Sequence, residues 1–478
     1  MIAALPMHDG GRLRRAWWIN LASSVGAVVG SFVIGLLLAR MLAPAELGLF
    51  ATASAVIGVA QLLRDLGVSS YLQREPELDA ERFGACVGLQ IAVTAALGAA
   101  LLTGAGPLAQ LLGMPALAPL IRILTLGLVL TPFSSLMAAL QLRALEASRI
   151  AWVSRLGTLS WGLASIGSAQ QGHGALGLAW AQVLRVLVCT IAYGFMRPPG
   201  LSWRPRWQGW RPVLRFGSGA LGGNLLNGLN GLVPDLLLGR LGGAAQVAML
   251  GRANAVVGSF QNMAGAAIGF GTLPLVARQH AAGASLAPGL MRASALLTGA
   301  AWPLLAWIAI QREALLHLLF GSAWAGSAAA VAPLALAAAL GLATHHAGLA
   351  LTAIGRPNLS TLLTAAQLAA RLLLVGMFYD GRLASFAWAL AAAVLLVLPL
   401  QQCLFAQHLE LGLLRLVRAN LPSLAVAVSC ALAATPWPSL LPSAGAALIA
   451  WPLALRLTRH PLLDELIQLA RLRSTTRK

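Results

Sequence analysis

The sequence predicts an all-α polytopic membrane protein of about 14 transmembrane helices, with two six-helix lobes related by a parallel repeat and two further helices at the C-terminal end. Three observations lead there: a composition foreign to a water-facing surface, a series of apolar stretches of membrane length, and an internal repeat spaced six helices apart. Of the 478 residues, 58% are hydrophobic and only 10% charged, whereas a soluble domain carries about 25% charged residues. The formal net charge is +19, from 33 Lys+Arg against 14 Asp+Glu. In a soluble protein that excess would point to nucleic acid. On apolar helices it reports orientation, because basic residues accumulate on the cytoplasmic side.

A helix crosses the ~30 Å hydrocarbon core with about 20 mainly apolar residues. The stretches that qualify, in chain order, are 16–39, 47–66, 84–106, 117–140, 154–172, 175–196, 216–239, 245–273, 293–311, 328–352, 360–379, 384–407, 421–436 and 438–455. The first follows Arg12, Arg14 and Arg15 in the charge order of a signal peptide, but it runs to Ala39 without a small-residue cleavage site and reads as a retained helix. Short connections carry Pro or Gly, as in Leu42-Ala43-Pro44, Gly355-Arg356-Pro357 and Thr435-Pro436-Trp437-Pro438, and the acidic stretch Glu75 to Glu81 reads as a solvated inner loop. The organisation expected is a cytoplasmic tail over 1–15, an N-lobe over 16–196, a linker over 197–215, a C-lobe over 216–407, the last two helices within 421–455 and a basic cytoplasmic tail over 456–478. No room is left for a soluble catalytic domain, and the expectation is a protein that is not an enzyme.

With the N-terminus inside, the outer loops hold only Arg40, Arg240, Arg312 and Arg382, and the spans hold Arg64, Arg122, Arg185, Arg252 and Arg371. The other 24 of the 33 basic residues fall in tails and inner loops. That bias supports an even helix count with both termini cytoplasmic, since one miscounted helix would scramble the alternation. Cys86, Cys189, Cys403 and Cys430 lie in apolar stretches without metal or disulfide spacing and read as small buried hydrophobes.

Residues 36–63 align without gaps onto 236–263, with ten of 28 positions identical, among them Arg40/Arg240, Gly58/Gly258 and Gln61/Gln261. The repeat relates the first two helices to the seventh and eighth. An even offset preserves direction through the membrane, so the halves are parallel repeats, which enclose a central cavity near the midplane in alternating-access transporters.

The run Leu38-Ala39-Arg40-Met41-Leu42-Ala43-Pro44-Ala45-Glu46-Leu47-Gly48, followed by Arg64-Asp65-Leu66-Gly67-Val68-Ser69, resembles the Wzx-type oligosaccharide/polysaccharide flippases, in the MOP superfamily that also contains multidrug/toxic-compound extruders and lipid II flippases. Pro234-Asp235-Leu236-Leu237-Leu238-Gly239-Arg240 and Leu319-Phe320-Gly321-Ser322-Ala323-Trp324 extend the resemblance into the second half, while Ala248-Met249-Leu250-Gly251-Arg252 departs from the Gly-x-Tyr usual there, so that helix start is expected to pack differently. The resemblance implies a polyprenyl-diphosphate-linked oligosaccharide, such as an O-antigen, exopolysaccharide or capsule repeat unit, moved across the bacterial cytoplasmic (inner) membrane. It also implies membrane lipids and a polysaccharide polymerase or export machinery as partners, no nucleic acid, and no cofactor, with transport coupled to a H⁺ or Na⁺ gradient.

Charged groups at the bilayer centre cost at least ~2.5–3.5 kcal/mol on insertion scales, so each needs a partner or a wet cavity. A diphosphate needs cationic donors, which Arg supplies as a planar fork. Arg185 and Arg371, with Arg64 nearer the cytoplasm, are the candidates to hold it; hydrogen bonding to carbonyls of neighbouring helices is the alternative. Asn224, Asn227 and Asn230 make a polar stripe that suits either a sugar-facing wall or close helix packing, and Gln61 and Gln261, at equivalent repeat positions, either face the substrate cavity from opposite halves or make interhelical hydrogen bonds. Asp235 and Asp380 could take a proton or Na⁺, or simply pair with Arg240 and Arg382; Asp65 is expected to pair with a basic group. His345-His346 could be a proton relay but read more simply as polar core histidines, and Asn254 and Arg252 read as packing groups. The linker from Arg197 to Arg211 interleaves Arg with Trp203, Trp207 and Trp210, which suits a segment lying on anionic headgroups.

Two functional classes compete. A flippase needs no covalent chemistry; within transport, a multidrug extruder would prefer acidic and aromatic walls, whereas the mid-membrane charges here are mainly Arg, and a lipid II flippase shares the same residue chemistry. A membrane-embedded O-antigen ligase or polymerase would present a large outer loop, and the longest here, about 312–327, is short.

Overall fold

An apolar chain cannot leave backbone amides unpaired in hydrocarbon, so its spans must be helices or closed barrels. In the computed structural model they are helices. It describes residues 26, 29–75, 78–144, 146–197, 201, 203–283 and 285–467, with backbone alone at 147, 218–221, 259–278 and 281. The start of the first span and the end of the C-terminal tail lie outside the described residues.

Helix α1 is described over Val29–Met41. There follow α2 (Pro44–Asp65), α3 (Val68–Arg74), α4 (Ala80–Leu111), α5 (Leu117–Arg143), α6 (Ala147–Gln170), α7 (Gly174–Gly194), α8 (Trp210–Ala281), α9 (Ala287–Ile310), α10 (Arg312–Phe320), a 3-10 turn (Ser322–Ser327), α11 (Ala328–Ala353), α12 (Pro357–Phe378), α13 (Leu383–Leu409), α14 (Leu413–Ala434) and α15 (Leu440–Leu457). Among the described residues, ten helices are long and apolar enough to cross a membrane. With the shorter described part of α1, α6 and the two halves of α8 added, each of the fourteen apolar stretches has a helix among the described residues.

Helix α8 has 72 residues and would reach about 108 Å unbroken, more than twice a bilayer with its headgroups. It breaks at Gly243, whose φ of 77° and ψ of 175° suit only glycine. The break stands where the repeat puts it: position 243 corresponds to Ala43, in the connection between α1 and α2. Helices α6, α9 and α14 begin earlier than hydropathy indicates, at Ala147, Ala287 and Leu413, because their first turns carry Arg149, Arg292, Arg415 and Arg418, which continue the helix beyond the apolar span.

The chain divides into two compact units, Met1–Leu42 with Leu49–Leu225, and Ala43–Gly48 with Leu226–Lys478. The start of α8 belongs to the first because a Cβ on Gly217 would lie 1.9 Å from the carbonyl oxygen of Leu66, so the α2–α3 turn and α8 touch backbone to backbone. The core of this unit gathers Phe83, Cys86, Leu136, Met137, Val153 and Tyr193.

In the second unit, α9, α11 and α13 pack around Leu290, Ala350, Phe405 and Leu409, α14 packs along α9, and α15 joins α14 through Val426, Cys430 and Leu455. The segment where the sequence departs from the family pattern packs tightly: Leu250 is fully buried, Met249 fits against Gly326, and the Arg252 guanidinium lies 5.6 Å from the ring centres of both Phe320 and Trp324. Of the four cysteines, Cys86 and Cys430 are buried, Cys189 is half-buried and Cys403 is exposed, so the expectation of four buried hydrophobes fails at Cys403.

Candidate functional site

The second unit brings two polar stripes together. On α8, Asn227 and Asn230 stand three residues apart; on α12, Thr364, Gln367 and Arg371 recur at the spacing that keeps one helix face. The Thr364 hydroxyl donates to Asn227 Oδ1 at 3.2 Å, and Arg371 Nη1 donates to both Asn230 O (2.6 Å) and Asn230 Oδ1 (2.5 Å). The backbone contact is the packing role that the alternative reading allowed. It uses only one nitrogen of the guanidinium: Arg371 Nε and Gln367 Nε2 are buried with no hydrogen-bond partner among the described residues. Among the described residues no carboxylate bonds Arg371 either. A guanidinium held by neutral oxygens keeps its full charge and part of its donor fork, so the α8–α12 seam is a donor-rich, positively charged site in a mostly apolar setting.

Asn224 is exposed on α8, and Asp235 lies on the same helix, half-buried, with no hydrogen bond or ion pair to a described residue; the pairing with Arg240 does not form. The Gln261 side chain lies outside the described residues.

In the first unit, Gln61 of α2 and Gln182 of α7 line a cavity of about 100 Å³ together with Ser54, Leu124 and Gly127, room for a few waters. Arg185, one turn beyond Gln182, is half-buried and makes no hydrogen bond or ion pair with a described residue. Gly157 of α6 leaves it space, since a Cβ there would lie 3.4 Å from Arg185 Cγ and 2.5 Å from Cys189 Sγ.

Arg64 has a different setting. It is buried, and its Nη1 donates to Gln90 Oε1 at 2.7 Å and to Ser135 Oγ at 2.9 Å, tying α2 to α4 and α5, with Nε left unpartnered. Asp65 accepts from Ser69 Oγ at 2.6 Å rather than from a basic group. Asp380 is fully exposed before α13, where its Oδ1 accepts from Ser385 Oγ (2.5 Å) and Arg382 N (3.0 Å), with Arg382 Nε 4.0 Å from Oδ2. Those donors, the Ser385 hydroxyl first, hold its carboxyl below the usual range. It braces the turn before α13. His345 and His346 meet edge to face in α11, His346 buried.

One polar cluster has no counterpart in the sequence reading. Ser294 and Thr298 of α9 face Asn420 and Ser423 of α14: the Thr298 hydroxyl is 2.7 Å from Asn420 Oδ1 and 2.8 Å from Ser423 Oγ. His460, beyond α15, closes the cluster with Nε2 2.9 Å from Ser423 Oγ, while its Nδ1 accepts from Leu462 N–H at 3.1 Å. Nδ1 is therefore the acceptor, and the neutral ring carries its proton on Nε2. The signal was available as polar pairs at i, i+4 and i, i+3 in otherwise apolar helices.

The family model described as "Polysaccharide biosynthesis protein" matches residues 37–329, more than half of the chain. The chain belongs to this family. Over 234 residues this family member is 24% identical to the lipopolysaccharide biosynthesis protein WzxC of Escherichia coli (strain K12), covering 48% of this chain and 47% of that protein, so it spans about half the length of the curated relative it matches. Its fold is similar to that of the lipid II flippase MurJ in an inward closed conformation, with a TM-score of 0.74 and 10% identity over 92% of this chain and 99% of that one. It is also similar to an inward-facing multidrug resistance MATE transporter of the MOP superfamily, with a TM-score of 0.60 and 16% identity over 81% and 94%. The chain is thus a multi-pass membrane protein of the polysaccharide biosynthesis family with a transporter fold.

Proposed function

We propose that this protein is a flippase that carries a polyprenyl-diphosphate-linked oligosaccharide across the bacterial cytoplasmic membrane by alternating access. The observation that carries the reading is Arg371: a cation in an apolar helix pair, bonded among the described residues to Asn230 alone, with its Nε and the neighbouring Gln367 Nε2 both unused. Such a group favours an anion rich in oxygen acceptors, and a diphosphate is one. The same positive seam disfavours the cationic cargo of a multidrug extruder. Arg185, half-buried in the first unit and bonded to no described residue, is that unit's own candidate phosphate donor. Gln367 joins the substrate-facing set, and Asp235 is the ion-coupling candidate, whereas the bonds of Arg64 to Gln90 and Ser135 suit helix packing and Asp380 braces the turn before α13.

The test is translocation of labelled polyprenyl-diphosphate oligosaccharide in proteoliposomes, with and without a proton or sodium gradient. Two further donors to an anion are worth about 1.5–3 kcal/mol each, so Arg371→Ala should reduce transport at limiting substrate by at least tenfold at unchanged protein level. Full transport by both Arg371→Ala and Arg185→Ala would sink the proposal.

A further inference from the structure

Residues 203–211 lead into α8, yet they are bound down onto the first unit. Arg206 N–H donates to Gly84 O at 2.9 Å, and a Cβ on Gly88 would lie 2.4 Å from Arg206 O. Gly84 and Gly88 stand one turn apart on α4, so two missing side chains make the groove in which the strap backbone lies. Trp203 pins its start, 4.8 Å from the Phe83 ring in an edge contact and 4.6 Å from that of Phe133, with the Arg197 guanidinium 5.4 Å from the Trp203 ring.

What the strap turns outward is of one kind. Arg204, Arg206 and Arg211 are exposed, and none makes an ion pair with a described residue; Trp207 and Trp210 between them are 64% and 42% exposed. The neighbouring acids do not serve them, because Glu75 and Asp79 pair with Arg82. Depth is set by α4, whose 32 residues span about 48 Å against a hydrocarbon core of ~30 Å. Its first turn carries Glu81 and Arg82, which belong in water, so Gly84 and Gly88 lie at headgroup level.

We infer that this strap is a docking surface for anionic phospholipid headgroups of the surrounding membrane. The exposed guanidiniums take phosphate oxygens, and the two indoles sit at the boundary between headgroups and hydrocarbon, where Trp is favoured. Rigidity matters here: with its backbone held by Gly84 and Gly88, the strap presents its arginines without the ordering cost that a loose linker would incur. The inference does not depend on the transport reading.

The test uses the purified full-length protein exchanged into detergent with equimolar phosphatidylglycerol and phosphatidylethanolamine, and native mass spectrometry to count retained lipids. Wild type should retain phosphatidylglycerol selectively, and Arg204→Gln/Arg206→Gln/Arg211→Gln should lower that retention on the order of tenfold or more while leaving phosphatidylethanolamine unchanged. Equal retention by wild type and variant overturns the inference, as does equal retention of the two lipids by wild type. Displacement of phosphatidylglycerol by a polyprenyl diphosphate at the same arginines also overturns it, in favour of a substrate-docking role. If the triple variant does not purify, the thermal stabilisation of wild type by phosphatidylglycerol decides: it should fall as salt rises, and salt independence overturns the inference.

Discussion

Gly299 and His460 provide a quantitative test of the packing. A Cβ on Gly299 would lie 2.4 Å from His460 Cε1 and 2.8 Å from Nε2, so Gly299→Ala must push the imidazole aside. The ring has no slack, being 1% exposed and bonded at both nitrogens, to Ser423 Oγ and Leu462 N–H. Overpacking costs about 1–3 kcal/mol and stranding a buried polar group about 1–3 kcal/mol, so the substitution should destabilise by roughly 2–6 kcal/mol, a large part of typical total stabilities. Thermal unfolding in detergent, followed by tryptophan fluorescence, measures it. In a double-mutant cycle, His460→Ala removes the clashing ring, so Gly299→Ala should cost little in that background. Additive effects within ~0.5 kcal/mol would refute the reasoning.

The same histidine has a pH signature. Burial lowers its pKa from the usual 6.5, so below that pH the unfolded chain takes up a proton that the folded chain resists. Stability is therefore full above about pH 6.5 and falls as pH drops toward the folded pKa, with a slope of at most ~1.4 kcal/mol per pH unit. His460→Gln should flatten that slope.

Further substitutions separate turn bracing, packing and transport. The lowered pKa of Asp380 means that its contribution is present above the ordinary carboxylate range and is lost as pH falls through the folded value; Asp380→Asn should remove that acid dependence yet leave transport and its gradient dependence intact, whereas Asp235→Asn should abolish the gradient dependence in the same proteoliposome assay. A Cβ on Gly48 would stand 1.7 Å from the Ala244 carbonyl oxygen, a backbone atom that cannot swing away, so Gly48→Ala should sharply lower membrane abundance on immunoblots, while Gly251→Ala, with open space at its Cβ, should not. Asn230→Ala removes the Oδ1 acceptor of Arg371 but keeps the backbone carbonyl, and should weaken apparent substrate affinity modestly at normal abundance, with Asn230→Asp weakening it further by neutralising the guanidinium.

Sequence and structure agree where the deciding property is local. Span limits follow from hydropathy, and they deviate at α6, α9 and α14, where Arg149, Arg292 and Arg415 sit in helical turns that have left the hydrocarbon. The repeat located the chain reversal at position 243 because equivalent positions of a repeat face the same geometric demand, which Gly243 meets with a positive φ. Individual polar side chains were harder to read. Arg64 and Arg371 look alike in sequence, both basic residues in apolar helices, and both keep Nε unused; one is tied by Gln90 and Ser135 from two neighbouring helices, the other, among the described residues, by Asn230 alone, beside the equally unused Gln367 Nε2.

By itself, then, the sequence determined a polytopic helical membrane protein with an internal parallel repeat, since apolar length and periodicity are sums over neighbouring residues and the bilayer permits little else. Tertiary structure alone decided which polar groups meet. Asn230 and Arg371 lie 141 residues apart, Thr298 and Asn420 lie 122 apart, and Arg206 rests on Gly84 of another helix. Those encounters depend on how each helix is rotated about its axis and which neighbour it touches, and that is set by packing of small residues and side-chain volumes far apart in the chain.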